Sequence, residues 1–314
     1  MLCRNLALLL TLFTLPLFYL DITQRKSQGP KAAQSAEARL DHLLETGRGS
    51  NAKAPLQTPS ELRIISYNIR WRGGEELRKL IKLFRDDVQI GGAAILGLQE
   101  VDRSKKRTEN RNTIKLMADE LGMYYAWTAP PTPKPNDEEE TGVAILSPYP
   151  LSDIQRIVLP HEGPGRRRRV ALAATVTVGT LAIRFCSVHS ETRIPVERKI
   201  EQMQAVLHDV GRYPHSMPTV VLGDFNTWEL SAVTKTRKLF REAGFQTPFD
   251  DQPTFFRRVL FVPLELKLDW IWLRNLEVVS AGIERRISLS DHWPLWIVVK
   301  SQQTSGTKTP SRGT

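Results

Sequence analysis

Cysteine is scarce in this chain, which has only two, Cys3 and Cys186, among 314 residues. Two cysteines cannot form the disulfide framework of a small secreted scaffold, so that class of protein is excluded. No His and Cys cluster occurs at the spacing of zinc ligands, which argues against a structural zinc site. The chain also shows no internal repeat. What is there, 41% hydrophobic and 25% charged residues, supports an ordered core.

Long apolar runs are lacking too. The run from Leu6 to Leu20 is shorter than the about 20 residues of a membrane-spanning helix and resembles the apolar part of an export signal. We therefore expect residues 1–22 to be a signal peptide or an N-terminal membrane anchor, and the protein to be exported, either secreted or membrane-anchored. A buried N-terminal helix is the alternative, but no amphipathic face supports it. Residues 23–60 are predicted to be a linker, with one short helix around Ala36 to Leu44, and residues 301–314 a polar tail.

Acidic residues are outnumbered by basic ones, because 34 Asp and Glu face 44 Lys and Arg, a formal net charge of +10. A surplus of this size suggests phosphates or anionic lipids as partners. Much of it lies outside the predicted domain, since residues 1–60 carry a net +3 and residues 300–314 another +3. The local run from Arg166 to Arg169 is more informative, and it is either a phosphate-binding edge or plain surface charge.

The body of the chain, residues 61–300, is predicted to be one domain of short apolar strands and amphipathic helices. Strands are expected at Arg63–Ile69, Ala93–Gln99, Gly142–Ser147, Ile154–Leu159, Arg169–Val178, Leu181–Val188, Thr219–Leu222, Leu268–Leu273, Val278–Ala281 and Leu295–Val299. Helical spacing of apolar residues predicts helices from Leu77 to Phe84 and from Val196 to Val210. Two strand-like runs joined at Gly179-Thr180 indicate a hairpin, which disfavours a purely parallel sheet. The expected fold class is α/β (α+β), a two-sheet sandwich with outer helices.

Polar groups follow or interrupt six apolar strands and could share one crevice at the strand ends. The segments are Ser66-Tyr67-Asn68, Leu98-Gln99-Glu100-Val101-Asp102, Ser187-Val188-His189-Ser190, Leu222-Gly223-Asp224-Phe225-Asn226, Leu268-Asp269-Trp270 and Ser290-Asp291-His292. A lone acid at a strand end is usually a turn or cap residue, so the repetition is what indicates a site. Oxygen ligands from Asn68, Glu100 and Asp291 suit a hard divalent cation, Mg²⁺ or Mn²⁺. Such an ion can neutralise charge when a phosphorus centre is attacked.

The same segments contain groups suited to proton transfer. His292 can take a proton near neutral pH, and Asp269 can accept the other ring proton of this histidine. Asp224 and Asn226 are two residues apart and are expected on one side of the site. There the carboxylate could orient water while the amide donates to a phosphoryl oxygen.

The segments ISYNIRW, LGLQEVD, VHSE, VVLGDFNTW, LDWIW and SDHWPL together resemble the endonuclease/exonuclease/phosphatase superfamily. That group includes DNase I, AP endonucleases, sphingomyelinases, inositol polyphosphate 5-phosphatases and deadenylases. The segments occur in family order from Ile64 to Val299, and their combination is specific although each alone is not. The resemblance implies a DNase I-like sandwich and metal-dependent hydrolysis of phosphoesters.

The resemblance also implies roles for single residues. Asn68 and Glu100 match metal-binding positions, and Asp291 matches the final metal-linked acid. Asp224 and Asn226 match the pair that orients water and contacts the phosphate.

Four further positions follow from the same resemblance. His189 matches a histidine that helps to bind or protonate the phosphate, and Asp269 matches the carboxylate that orients His292. His292 itself matches the catalytic base or phosphate-contacting histidine, which leaves open whether it or Asp224 activates water. Arg169 matches an arginine that opens a strand beside the site and contacts substrate, whereas Arg166 to Arg168 depart from the pattern.

The favoured function is that of an exported or membrane-tethered, Mg²⁺-dependent (or Mn²⁺-dependent) hydrolase of phosphodiester bonds, of a nuclease-like subtype. A lipid or inositol phosphate phosphoesterase is the first alternative, because an N-terminal anchor would hold the site near a bilayer. A non-catalytic module that binds polyanions is the second, and it is disfavoured because every matched position keeps a competent residue. The expected partners are a phosphate-ester substrate, with nucleic acid and a membrane as candidates, and the chain is expected to be a monomer.

Overall fold

A computed structural model describes residues 42–300, except 54, 56–57, 93, 132–139 and 250. The predicted signal or anchor at residues 1–22 and the predicted polar tail at residues 301–314 lie outside the described residues. Among the helices of the described part, none combines the length and the apolar character that crossing a bilayer requires.

The described chain forms fourteen strands and four α-helices. The strands are β1 (Leu44–Arg48), β2 (Glu61–Asn68), β3 (Ile95–Arg103), β4 (Tyr124–Thr128), β5 (Glu140–Ser147), β6 (Leu151–Val158), β7 (Val170–Val178), β8 (Leu181–His189), β9 (Thr219–Asp224), β10 (Phe255–Val259), β11 (Val262–Leu266), β12 (Asp269–Arg274), β13 (Glu277–Ile283) and β14 (Leu295–Lys300). The helices are α1 (Gly74–Asp86), α2 (Thr113–Leu121), α3 (Val196–Val210) and α4 (Leu230–Glu242).

Twelve strands build two mixed sheets, and β10 and β11 form a separate hairpin. The first sheet has seven strands in the order β1-β4-β5-β3-β2-β14-β13, and the second has five in the order β12-β9-β8-β7-β6. The pairs β2–β3 and β8–β9 are parallel. The β7–β8 pair is antiparallel around Gly179-Thr180, which confirms the predicted hairpin. The predicted α/β two-sheet sandwich is confirmed.

The two sheets pack face to face, and helices cover their outer faces. Strand β2 shows the period of two that this requires: Leu62 and Ile64 belong to the layer between the sheets, whereas Ile65 and Tyr67 face the outer helices. Helix α1 buries apolar residues at helical spacing against the same outer face, namely Leu77, Leu80, Ile81 and Phe84. Helices α3 and α4 cover the second sheet with Met203, Val206, Val210, Val233 and Phe240.

The predicted linker of residues 23–60 is wrong where it includes β1. This strand pairs with β4 at the edge of the first sheet, so the helix predicted up to Leu44 is also wrong at that residue. Three of the five β1 residues are exposed, so the strand lacks apolar alternation. It is held instead by Leu43, which is buried, and by Glu45, which accepts hydrogen bonds from the Tyr125 hydroxyl at 2.9 Å and from Asn112 at 2.8 Å.

Candidate active site

The polar segments singled out in the sequence meet at one end of the sandwich. Parallel pairing of β2 with β3 sets Asn68 opposite the residue before Glu100. In the other sheet, the parallel β8–β9 register sets His189 beside Asp224, and antiparallel β12 sets Asp269 opposite Asp224. Carboxyl ends of neighbouring parallel strands open at the same edge of a sheet, where ligands commonly bind.

A glycine lets Asp224 reach this position. Gly223 has a φ of +135°, which L side chains rarely adopt, and a Cβ there would lie 2.0 Å from the carbonyl oxygen of Val188. The glycine of the GDFN segment therefore permits the close approach of β9 to β8 that places Asp224 beside His189.

Glu100 leaves the regular pairing of β3. The register with β5 shifts between Gln99 and Val101, so Glu100 is the extra residue of a β-bulge, and its φ is +57°. Strain of this kind is on the order of 1–3 kcal/mol and is found mainly at functional sites. The bulge puts the carboxylate beside Asn68, whose Nδ2 donates to Glu100 Oε1 at 3.3 Å.

A row of hydrogen bonds holds His292. The Thr254 hydroxyl donates to Asp269 Oδ2 at 2.7 Å, and His292 Nδ1 lies 2.9 Å from the same oxygen. The backbone N–H of Asp269 donates back to the Thr254 hydroxyl at 2.9 Å, which fixes the hydroxyl from both sides. The other ring nitrogen, Nε2, then faces Asp224 Oδ2 at 3.8 Å.

Asp224 connects the two sheets. Its Oδ1 accepts the backbone N–H of Asn226 at 2.9 Å, and its Oδ2 accepts Asn68 Nδ2 at 3.0 Å. His189 Nε2 lies 3.6 Å from the same Oδ2. Asp224 is buried, so this carboxylate is the central acceptor of the site.

Asn226 is held by the segment that follows β8. Its Nδ2 donates to the Ser190 carbonyl at 3.0 Å, and its Oδ1 accepts the Thr192 hydroxyl at 3.0 Å. Its φ is +51°, a left-handed conformation that Asn tolerates better than most residues. An amide nitrogen has two N–H groups, so one remains for a phosphoryl oxygen.

Arg169 lies against His189, with Nη1 3.3 Å from His189 Nδ1. Its Nε donates to Glu191 Oε2 at 3.2 Å, and the same buried carboxylate accepts Arg167 Nη2 at 3.0 Å. The Arg169 side chain is 16% exposed, whereas that of Arg166 is 83% exposed. The arginine run therefore divides: Arg169 belongs to the crevice and Arg166 to the surface.

Asp291 is connected to Asn68, another predicted metal ligand, through Arg70. Its Oδ2 pairs with Arg70 Nη1 at 2.9 Å, while the backbone N–H of Arg70 donates to Asn68 Oδ1 at 3.1 Å. Arg70 thus occupies the place between Asn68 and Asp291, which the sequence predicted to share one cation.

The charges of the site are set by burial and by close neighbours. Burial and then the Asp269 carboxylate raise the pKa of Asp224, against the opposing effect of His292. Burial opposes the charge on His292, but the carboxylates of Asp269 and Asp224 outweigh it and raise its pKa. Burial and then the positive charge of Arg169 hold the pKa of His189 well below its usual range. These shifts favour the neutral form of His189 and the protonated form of His292.

Two groups of side chains could take a cation. Ligand atoms of Asp224, Asp269 and His292 lie within 4.8 Å of one another. However, His292 Nδ1 is at hydrogen-bond distance from Asp269, so this trio already forms a proton-transfer arrangement. Asn68 and Glu100 offer oxygen ligands alone, which suit Mg²⁺ better. Asn68 Nδ2 donates to both Glu100 Oε1 and Asp224 Oδ2. The space between these two carboxylates therefore favours a group with positive charge.

The sequence did not single out three residues that orient the site. Arg70 and Glu191 lie inside the quoted motifs ISYNIRW and VHSE, so a signal existed for both. Thr254 had none, because it contacts Asp269 from a different segment.

Comparisons with known proteins place this arrangement in one family. The model of the Endonuclease/Exonuclease/phosphatase family matches residues 65–292. Among solved structures, an endonuclease/exonuclease/phosphatase family protein from Leptotrichia buccalis is 16% identical with a TM-score of 0.59, covering 76% of this chain and 99% of that one.

Two further solved structures share the fold. The human Nocturnin catalytic domain with bound sulfate is 21% identical, with a TM-score of 0.56 and coverage of 81% of this chain and 98% of that one. ANGEL2, a 2′,3′-cyclic phosphatase in complex with adenosine-2′,3′-vanadate, is 15% identical, with a TM-score of 0.57 and coverage of 77% and 96%. On the strength of the family match, the chain belongs to the endonuclease/exonuclease/phosphatase family of phosphoester hydrolases.

Proposed function

We propose that the protein is a Mg²⁺- or Mn²⁺-dependent phosphodiesterase. The observation that carries this proposal is the hydrogen-bonded row of Thr254, Asp269 and His292, which leads to Asp224, while Asp224 contacts Asn68 of the other sheet. Groups for orienting water, for holding a proton and for binding a cation therefore share one crevice. Hydrolysis at phosphorus needs all three.

Asp224 is the group proposed to orient the attacking water and take its proton. Its Oδ1 is fixed by the Asn226 N–H, and its Oδ2, which accepts Asn68 Nδ2, has a second lone pair for the water. His292 lies between the carboxylates of Asp269 and Asp224, a position that favours its protonated form, so it donates to a phosphoryl oxygen. As water adds to phosphorus and gives its proton to Asp224, the bond to the leaving oxygen breaks, and that oxygen takes a proton from solvent. The water-activating role that the sequence left open thus goes to Asp224.

Asn68 and Glu100 are the residues proposed to hold the metal ion. A bound Mg²⁺ would neutralise the negative charge that develops on the phosphate. Asp291 would join them if its ion pair with Arg70 opens. Arg169 and the neutral His189, which contact each other, are proposed to bind the phosphate from the other sheet.

For the substrate, the proposal is a nucleic acid or another nucleotide phosphodiester. The ANGEL2 complex with adenosine-2′,3′-vanadate supports it, because that nucleotide analogue is bound by a protein of the same fold. A lipid or inositol phosphoester is the second candidate, favoured by the exposed apolar turn between β10 and β11. A non-catalytic polyanion-binding module is disfavoured, because the matched side chains keep their chemistry and also contact one another.

Export is proposed as well. The apolar run from Leu6 to Leu20 supports export, because it can act as a signal or an anchor. The oligomeric state that we propose is a monomer. Fractionation of cells that express the full chain, compared with a chain lacking residues 1–22, tests this. Recovery of both forms in the same soluble cytoplasmic fraction would contradict export.

The activity test measures hydrolysis of bis-(p-nitrophenyl) phosphate by the full chain with Mg²⁺, with Mn²⁺ and with a chelator. We expect turnover with either metal and its loss with the chelator. Asp224→Asn should lower kcat by about 10³-fold because the water loses its acceptor. The control Asp86→Asn, which removes a surface partner of Lys82, should keep full activity. Metal-independent turnover, or equal activity of both variants, would contradict the proposal.

A substrate panel then decides between the two candidates. Plasmid DNA, RNA, sphingomyelin and inositol phosphates are compared by kcat/KM under the metal condition found above. A preference for DNA or RNA supports the nuclease-like subtype, and a preference for either of the other substrates supports the second candidate.

A further inference from the structure

The hairpin formed by β10 and β11 ends in a cluster of exposed apolar side chains. Eight large hydrophobic residues are exposed in the described part of the chain, and four of them are consecutive: Val259, Leu260, Phe261 and Val262. Phe261, at the turn, is 97% exposed. Apolar clusters of this kind on a soluble domain mark contact surfaces. We call these four residues the hairpin tip.

The turn at the tip is built from residues that do not suit it. Val259 pairs with Val262, so Leu260 and Phe261 form a two-residue turn. Their φ values are +46° and +72°, and turns with positive φ at both central positions favour Asn-Gly. Bulky side chains in this conformation are uncommon. Neither solvation nor turn geometry explains Leu260 and Phe261, whereas a contact outside the chain does.

Positive charge surrounds the base of the tip. Arg257 and Arg258 are exposed on β10, and Glu265 is the single acidic residue of the hairpin. Next to the hairpin, the guanidinium carbon of the exposed Arg285 lies 5.2 Å from the centroid of the Trp293 ring. That ring stacks on Phe256 of β10. The hairpin thus has an apolar end followed by a collar of arginines.

We infer that the hairpin tip inserts into the surface of an anionic lipid bilayer. Val, Leu and Phe side chains would enter the acyl region, while the arginine collar meets phosphate headgroups. Single-stranded nucleic acid fits less well, because stacking on bases needs aromatic rings and the tip has one, Phe261. A second copy of the chain also fits less well, because four side chains cover less than the about 800 Å² per partner that a stable dimer buries.

The hairpin also connects its tip, the proposed membrane-binding part, to the candidate active site. Its base pairs Phe255 with His292, and a five-residue strand spans about 17 Å from base to tip. The tip therefore lies about 17 Å along the hairpin from the residue that pairs with His292. The inference concerns binding and does not require turnover, so it can fail while the proposed phosphodiesterase activity holds.

The first experiment measures sedimentation with vesicles of phosphatidylcholine, with and without phosphatidylglycerol, and uses a chain that lacks residues 1–22, which lie outside the described domain and could bind vesicles by themselves. Replacing Leu260→Asn together with Phe261→Gly installs a favoured turn and removes the apolar side chains. We expect binding to mixed vesicles to fall at least tenfold, with an unchanged circular dichroism spectrum. The control Leu230→Gln removes a side chain of similar exposure, 77%, elsewhere and should bind like wild type. Equal binding by wild type and the double variant overturns the inference.

The second experiment uses the full chain and separates the tip from residues 1–22, which every full-length variant shares. Phe261→Trp adds an indole at the tip, and we expect brominated acyl chains to quench its fluorescence beyond the quenching of wild type. Quenching no greater than that of wild type overturns the inference.

The third experiment tests the arginine collar and the other occupants. Arg257→Gln with Arg258→Gln should weaken the preference for vesicles that contain phosphatidylglycerol, although Arg285 remains. A preference as strong as that of wild type contradicts the charge argument. Light scattering that shows a dimer lost in the Leu260→Asn, Phe261→Gly variant, or loss of oligonucleotide binding alone, would assign the tip to another partner and overturn the inference.

Discussion

The two ends of the β10–β11 hairpin differ in every respect that decides what holds a residue in place. At the base, Thr254 is buried, and its hydroxyl both donates to Asp269 and accepts two backbone N–H groups, at 2.9 and 3.0 Å. At the tip, Phe261 is exposed and its backbone has a positive φ. Contacts within the chain explain the base, whereas they leave the tip unexplained.

At the base of the hairpin, the same residues support both the fold and the candidate active site. The segment from Thr254 to Phe256 pairs with residues 291–293: Phe256 N–H donates to the Asp291 carbonyl, and Trp293 N–H donates to that of Thr254. The base is therefore part of the wall that positions His292. We expect changes at the base to lower catalysis and stability together, and changes at the tip to lower neither.

Among changes in the row at the base of the hairpin, the largest effect is expected from Asp269→Asn. The amide cannot stabilise a protonated His292 as the carboxylate does, so kcat should fall by about 10²- to 10³-fold. Steady-state hydrolysis of a soluble diester measures this, and a thermal melt checks folding. The matched control is Glu265→Gln, an exposed acid further along the same hairpin. An unchanged kcat for Asp269→Asn would show that the row at the base has no role in turnover.

A second expected effect concerns the metal. Glu100→Gln should raise the Mg²⁺ concentration at half-maximal activity by about tenfold or more, because a neutral amide binds a divalent cation more weakly than a carboxylate. Titration of Mg²⁺ at saturating substrate measures the shift. Glu109→Gln, an exposed acid paired with Arg111, is the control and should titrate like wild type. A superimposable Glu100→Gln curve would remove Glu100 from the ligand set.

The sequence predicted the sandwich well because most of its strands are buried and apolar. The ten strands and two helices predicted within residues 61–300 occur in the structure. Three of the unpredicted strands are weakly patterned: β1 is a half-exposed edge strand, and β10 and β11 expose most of their residues. Strand β4 was missed although four of its five residues are buried. Helices α2 and α4 were missed because two of the four buried residues in each are Ala or Thr, whereas all four buried residues of α1 are large and apolar.

For the site, the sequence could predict which residues gather but not what orients them. Repetition of polar groups after apolar strands pointed to Asn68 and Asp224, which are 156 residues apart in the chain. In the structure, Asn68 Nδ2 lies 3.0 Å from Asp224 Oδ2. Thr254 and Arg70 act on side chains from other segments. Such contacts depend on the packing of loops, which no local pattern encodes.

A smaller effect is expected from Thr254→Val, which keeps the shape of the side chain and removes its hydroxyl. Two backbone N–H groups and one carboxylate oxygen lose their partner, at a cost of about 1–3 kcal/mol. We expect a lower melting temperature and a loss in kcat of roughly tenfold, with KM nearly unchanged, because Asp269 is less well fixed. Thr254→Ser, which restores the hydroxyl, should recover both quantities. A fall in melting temperature with full kcat would limit Thr254 to a structural role.

The smallest effect on the fold is expected at the tip. The double change Leu260→Asn and Phe261→Gly replaces bulky residues by those that a turn with two positive φ values prefers, so the free energy of unfolding should stay constant or rise by about 1 kcal/mol. Thermal melts and hydrolysis of a soluble diester measure the two readouts, and kcat should equal that of wild type. The β7–β8 turn is the counterpart, because Gly179 already has a φ of +60° there, and Gly179→Ala should lower the melting temperature. If the tip change instead lowered both stability and kcat, Leu260 and Phe261 would be structural parts of the hairpin, and the distinction between its base and its tip would be wrong.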